Sequence, residues 1–412
     1  MESTFNHNLE KYAALAVEVG VNIQPGQTLV LMAPLFAADL ARKVVRRAYE
    51  KGAKYVHVEW NDDEVTRTRY ELAPGDSFKE YPTPFRARGW EEMAEGNAAF
   101  LSIVGADPDL LRGIDSQRIQ DANKANSEAL KNYRKYAMSD KISWSIVAVP
   151  SKAWADKVFA DLGEDERIPA LWNAIFKATR IDMEDPVQAW RDHSDNLNKK
   201  ADFLNERKYK ALHYTAAGTD LTIELPAAHY WVSAESHNAK GTSFMANMPT
   251  EEVFTAPLKT GVNGTVSSTK PLSYAGNLID KFSVTFKEGR IVDFSAERGY
   301  EALKKLVETD EGSHYLGEVA LVPHKSPISD TNLIFFNTLF DENASNHLAI
   351  GKGYAFCLVG GKEMNDEELV ANGLNDSLTH VDFMIGSADM DIDGILADGT
   401  REPLFRGGNW AF

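Results

Sequence analysis

Thr28-Leu29-Val30-Leu31-Met32-Ala33, a helical run from Ala37 to Lys51, and Tyr55-Val56-His57-Val58-Glu59-Trp60 form the stretch that decides the fold. The first piece is a short apolar run after the Gln24-Pro25-Gly26 turn. The second is closed by Gly52, and the third alternates around His57, so together they read as a βαβ unit. Upstream, apolar residues from Asn8 to Val19 recur at helical spacing and stop at Gly20. Downstream, Ala99 to Val104 and Ile142 to Val149 read as further buried strands, each followed by helix-like sequence. The N-terminal half is therefore expected to be α/β. Its first strand runs into Met32-Ala33-Pro34-Leu35-Phe36 without a glycine, so no backbone there can approach a pyrophosphate, and a dinucleotide site is discounted.

A chain of 412 residues exceeds what one core usually organises. Pro186 to Leu204 is polar with spaced apolar residues, which suits a long surface helix, and the boundary is placed near Lys208. Beyond it the texture changes to short strands. Leu212 to Tyr214 and Leu221 to Leu225 flank Ala217-Gly218-Thr219-Asp220 as a hairpin, and the clearest helices are Tyr300 to Thr309 and a stretch from Asn365 stopped by Gly373. The expected architecture is an α/β N-terminal domain, 1–208, and a β-rich (α+β) C-terminal domain, 209–412.

A formal net charge of -17, with no long basic run, argues against nucleic acid and acidic membrane surfaces as partners. The apolar fraction is 43%, yet no apolar segment is long enough to span a bilayer. The opening Met-Glu-Ser-Thr-Phe-Asn-His lacks the basic and apolar regions of a secretion signal, so a cytoplasmic protein is expected. The only cysteine, Cys357, follows Gly353-Tyr354-Ala355-Phe356 and reads as a buried thiol rather than a nucleophile.

Four clusters carry chemistry. In Thr379-His380-Val381-Asp382-Phe383-Met384-Ile385-Gly386, strand alternation puts His380, Asp382 and Met384 on one face and Val381, Phe383 and Ile385 on the other. An imidazole and a carboxylate two residues apart can ligate neighbouring positions, although most His-x-Asp tripeptides are surface polar residues. In Asp341-Glu342-Asn343-Ala344-Ser345-Asn346-His347 an acid precedes a histidine at a spacing that suits a loop, and by spacing alone a polar connector with a capping acid is the favoured reading. Asn343-Ala344-Ser345 also fits a glycosylation acceptor, irrelevant in the cytoplasm. Glu318 lies in the apolar run Leu316 to Pro323, and Glu251 and Glu252 follow Thr250 as a helix start would, each open to a structural reading. Were Glu252, Glu318, Glu342 and Asp382 to converge, four negative charges would call for two divalent cations rather than one.

Asn247 to Pro257, Gly317 to Pro323, Asn346 to Gly351 and His380 to Gly386 resemble, in order, the signature segments of the aminopeptidase T, aminopeptidase S and PepS family of metallopeptidases. The resemblance extends from Leu9-Glu10-Lys11-Tyr12-Ala13 and Gly20 to Gln27 through Phe405 to Trp410. It implies that Glu252, Glu318, His347, His380 and Asp382 fall on metal-binding positions, with Glu342 a sixth ligand, and that Tyr354 falls on a catalytic tyrosine. It also implies broad-specificity removal of N-terminal residues from peptides, and a homodimer enclosing the sites.

On that resemblance the expected chemistry is attack by a water shared between two metal ions, with Glu318 bridging them and Tyr354 stabilising the oxyanion. Glu251 is an alternative proton carrier. Imidazole and carboxylate ligands admit zinc, cobalt, manganese or magnesium. Two other readings stand beside this one: a different dinuclear metallohydrolase, and a metal-stabilised peptide-binding protein without catalysis. Hydrolysis through Cys357 is a distant third.

Overall fold

The computed structural model describes residues 2–105, 107–274 and 277–412. Two compact units result, one of residues 1–192 with 235–248 and one of residues 193–234 with 249–412. The division falls inside a helix spanning Pro186–Arg207, upstream of the boundary expected at Lys208. No helix among the described residues is long and apolar enough to cross a membrane.

In the first unit β1 (Thr28–Pro34), β2 (Tyr55–Asn61), β3 (Ala99–Val104) and β4 (Trp144–Ala148) form a parallel sheet in the order β2-β1-β3-β4. The Ala38–Glu50 helix makes the β1–β2 crossover read from sequence. On one face Val30, Trp90, Phe100, Leu130 and Ile142 pack into a core. The N-terminal helix spans Glu2–Leu15 and continues as a wider π turn over Ala16–Gly20. The short hairpin Glu235–His237 with Ser243–Met245 belongs here too, because the backbone after it pairs with β4 at Ile146.

The second unit holds two antiparallel sheets. A nine-stranded sheet includes the predicted hairpin, Ala211–Ala216 with Thr219–Glu224, and the long strands Asn277–Lys287 and Arg290–Arg298. A four-stranded sheet places His380–Met384, His347–Gly351, Leu316–Leu321 and Val253–Thr255 side by side in that order. The two central strands are buried throughout. Phe383, on the face of this sheet away from Asp382, meets Phe282 of the larger sheet at 5.6 Å between ring centroids.

Two expectations change here. His347 opens a strand instead of sitting in a loop, and the residues after Thr250 lead into the Val253–Thr255 strand rather than starting a helix. In both places long-range pairing overrides what the local spacing favours.

Candidate metal centre

Register builds the site. Glu318 pairs with Ala349, which on its other side pairs with Asp382, so two carboxylates lie in one row across three strands with only a methyl group between them. His347 and Gly351 flank Ala349 on the same strand face, and Gly351 pairs with His380. Ala320, opposite His347, also pairs with Phe254, so the segment carrying Glu252 arrives beside them just before its strand begins. Small residues at 320, 349 and 351 leave the space that the acids and imidazoles fill. Gly351 is required on two counts. Its φ is +113°, and a Cβ there would lie 2.1 Å from the Thr379 carbonyl oxygen.

Two groups of ligand-type atoms result, Glu252 with Glu318 and His347, and Glu318 with His380 and Asp382, each having its atoms within 4.8 Å of one another. Glu318 belongs to both. Its Oε1 lies 3.4 Å from His347 Nε2 and its Oε2 lies 3.6 Å from His380 Nε2. His347 Nε2 is also 3.1 Å from Glu252 Oε2, and His380 Nε2 is 3.4 Å from Asp382 Oδ1. Each histidine donates Nδ1–H to a backbone carbonyl, His347 to Ser345 at 3.1 Å and His380 to Lys352 at 2.7 Å. With Nδ1 so committed, Nε2 is the atom that faces the acids, protonated in the metal-free chain and offering its lone pair to a cation once that proton leaves.

The donor set fits divalent cations. It pairs hard carboxylates with imidazoles, and Asp382 Oδ1 is buried without a hydrogen-bond partner among the described residues. Glu342 is buried and close enough for the charges of Asp382 and Glu252 to act on it, but it stands in neither group. Tyr354 is half-buried, its ring 4.8 Å from that of His380 and stacked on Phe356 at 5.1 Å. Burial, then the charges of Glu318 and Asp382, push its pKa well above the usual tyrosine value, so the hydroxyl stays protonated. Cys357 is buried with Ala256, Leu358 and Leu374, and burial raises its thiol pKa, as suits a core position.

Glu251 takes a different direction from Glu252. Its Oε2 lies 3.4 Å from His193 Nε2, and its backbone N–H donates to Asn343 Oδ1 at 2.8 Å. His193 did not stand out in the sequence, and Asn343 stood out only as the start of a glycosylation pattern. His193 lies in a polar helix and Asn343 in a run of small polar residues, and only their contacts distinguish them.

Protons hold this acidic group together in the metal-free chain. Burial first, then the charges of Asp382 and Glu252, raise Glu318 above 4.5, against the hydrogen bond from His347. Burial, Asp382 and Glu252 raise Glu342 further. Burial alone would lower His380 below 6.5, but Asp382 and Glu318 carry it to about 9, and Glu252 and Glu318 likewise lift His347. The cluster thus binds more protons in the folded state than in the unfolded chain from 4.5 upward to about 9, and its contribution to metal-free stability falls as pH rises through that window. Asp382, held below 3.8 because His380 outweighs its burial, acts in the opposite sense only at lower pH. Cations replace those protons. Between about pH 6 and about pH 9 the melting temperature of chelator-treated protein is expected to drop while that of metal-supplemented protein holds, so the gap widens. A gap independent of pH in differential scanning fluorimetry would contradict this account.

A family model described as thermophilic metalloprotease (M29) matches residues 5–410. The chain is 61% identical over 409 residues to aminopeptidase AmpS of Bacillus subtilis (strain 168), covering 99% of this chain and 100% of that one. It is 43% identical over 406 residues to aminopeptidase T of Thermus aquaticus, covering 98% and 99%. The solved structure of wild-type AmpT from Thermus thermophilus matches with a TM-score of 0.93 at 41% identity, over 99% of this chain and 100% of that one.

Proposed function

The chain belongs to the M29 family of metalloproteases and is a metallo-aminopeptidase, and on that premise we propose that it releases single residues from peptide N-termini with broad side-chain tolerance, at a centre of two divalent cations. Glu252, Glu318, Glu342, His347, His380 and Asp382 would hold the cations, all within the unit of residues 193–234 with 249–412, which covers most of the catalytic domain expected over 209–412. The observation that carries this reading is the Glu318 carboxylate, whose two oxygens face different histidines and different ligand groups, as a bridging ligand would. Charge supports the number: four carboxylates are neutralised by two divalent ions, and zinc, cobalt, manganese or magnesium suits the donors.

When bound, such cations supply Lewis acidity and make water a competent nucleophile near neutral pH. The residues do the rest. The Nδ1 contacts of His347 and His380 fix both rings, so little reorganisation accompanies reaction. The protonated Tyr354 hydroxyl donates a hydrogen bond to the oxygen that gains charge as the peptide carbonyl is attacked. The free α-amino group of a peptide would be held by direct coordination or by an acid that the cations leave unneutralised, which sets exopeptidase action. Glu251 is directed to His193, and we assign it no proton transfer. In the same reading the enzyme works in the cytoplasm as a homodimer, with peptides as its substrates.

The test pairs metal titration with substrate blocking. Metal-free protein should regain full turnover of an aminoacyl p-nitroanilide at about two ions per chain. The N-acetylated substrate should react about 10-fold to 100-fold more slowly, the worth of one charge-assisted contact. Full turnover at a single ion, or faster cleavage of a phosphodiester than of the anilide, would replace this reading with another metallohydrolase.

A further inference from the structure

Four of the six candidate ligands owe their positions to strand pairing: Glu318, His347, His380 and Asp382. The other two do not. Glu252 precedes the Val253–Thr255 strand in backbone without regular structure, and Glu342 lies in the 3-10 turn Glu342–Ala344. Neither segment has a ladder to set where its carboxylate points.

Asn343 joins them. Its side chain is 0% exposed and makes three hydrogen bonds. Oδ1 accepts from the Glu251 backbone N–H at 2.8 Å, while Nδ2 donates to the Leu339 carbonyl at 3.2 Å and to Glu342 Oε1 at 3.3 Å. The backbone donor at 251 and the backbone acceptor at 339 fix which end of the amide faces which partner, so an NH2 group faces the carboxylate. A buried backbone N–H next to Glu252 needs an acceptor, and this amide supplies it.

We propose that Asn343 is a positioning residue for the metal centre: one amide ties the Glu251–Glu252 segment to the Glu342 turn and thereby aims two carboxylates that no strand holds. The inference rests on the metal-centre reading given above. Asn343 touches no reacting atom in this scheme and acts only through Glu252 and Glu342.

Cobalt(II) titration of the metal-free protein tests it, followed by the visible d–d absorption that reports coordination geometry. Asn343→Asp keeps the shape and the acceptor for Glu251 but sets an oxygen against Glu342 Oε1 and the Leu339 carbonyl. Its cobalt affinity is expected to fall about 10-fold to 100-fold at one or both sites, the usual loss when a hydrogen-bond partner of a metal ligand is removed, with an altered spectrum. Asn343→Ser, which adds no charge and cannot reach Glu342, should shift affinity in the same direction by less. A parental spectrum and affinity in either folded variant overturns the proposal, and so does a lowered metal-free melting temperature with unchanged cobalt binding, which would mean a purely structural role. Glu318→Gln serves as reference. If it too binds cobalt like the parent, the metal-centre reading is what fails; if it loses cobalt while the Asn343 variants keep it, only this inference does.

Discussion

Glu318→Gln is expected to lower kcat/KM by about 10³, because several kcal/mol of charge stabilisation depend on the one carboxylate common to both ligand groups. Glutamine has nearly the same volume, so packing in the buried Leu316–Leu321 strand is preserved. What changes is chemistry: one of the two oxygens that face His347 and His380 becomes an NH2 group, which cannot ligate, and a negative charge is lost. The metal-free variant should melt no lower than the metal-free parent. Burial and the charges of Asp382 and Glu252 already make an ionised Glu318 costly, and the amide removes that repulsion. Added zinc or cobalt should then raise the melting temperature of the parent well above that of the variant. Turnover, metal stoichiometry and melting curves with and without chelator measure all three. Near-parental turnover with both ions bound would end the bridging assignment, while an unfolded metal-free variant would make Glu318 a structural residue first.

The parts of this site legible in the sequence were those set by local rules. His380 and Asp382 share a face because strand residues alternate, and Glu318 stood out because a carboxylate in an apolar run needs a partner. The first-unit strands were equally readable, since buried parallel strands are short apolar runs set off by helices: Ala99–Val104 matches its expected span, and Tyr55–Asn61 differs by one residue. Register was not legible. Whether Glu318 lies level with Asp382 depends on the irregular step between Leu316 and Glu318, where Gly317 has no room for a Cβ against the carbonyls of Gly351 and Lys352. His347 was misplaced into a loop for the same reason: its strand is defined by partners on both sides, not by its own alternation. Asn343 and His193 represent the extreme case, since the Asn343 bond to Glu251 reaches 92 residues and the His193 contact with the Thr250 carbonyl reaches 57, distances no local pattern reports. The division inside the Pro186–Arg207 helix was hidden because a polar helix looks alike on both sides of a boundary.

Tyr354→Phe should lower kcat by about 10² to 10³ and leave KM, metal content and melting temperature near parental values, the loss seen when one oxyanion donor is removed. The substitution removes only the hydroxyl. The ring keeps its stacking on Phe356 at 7° between planes and its contact with His380, so any effect on ligand geometry is small. A donor whose contact strengthens only as the carbonyl oxygen gains charge contributes to the transition state and not to the bound substrate, hence the expected split between kcat and KM. The elevated pKa sharpens the test. Burial, the larger cause of the rise and one that persists with cations bound, keeps Tyr354 protonated through the working pH range, so the parent and the Phe variant should share the same pH profile of kcat, displaced downward. A profile that loses its alkaline limb in the variant would instead make Tyr354 a titrating acid. A change confined to KM would place its hydroxyl on the substrate in the ground state, where it could not account for rate.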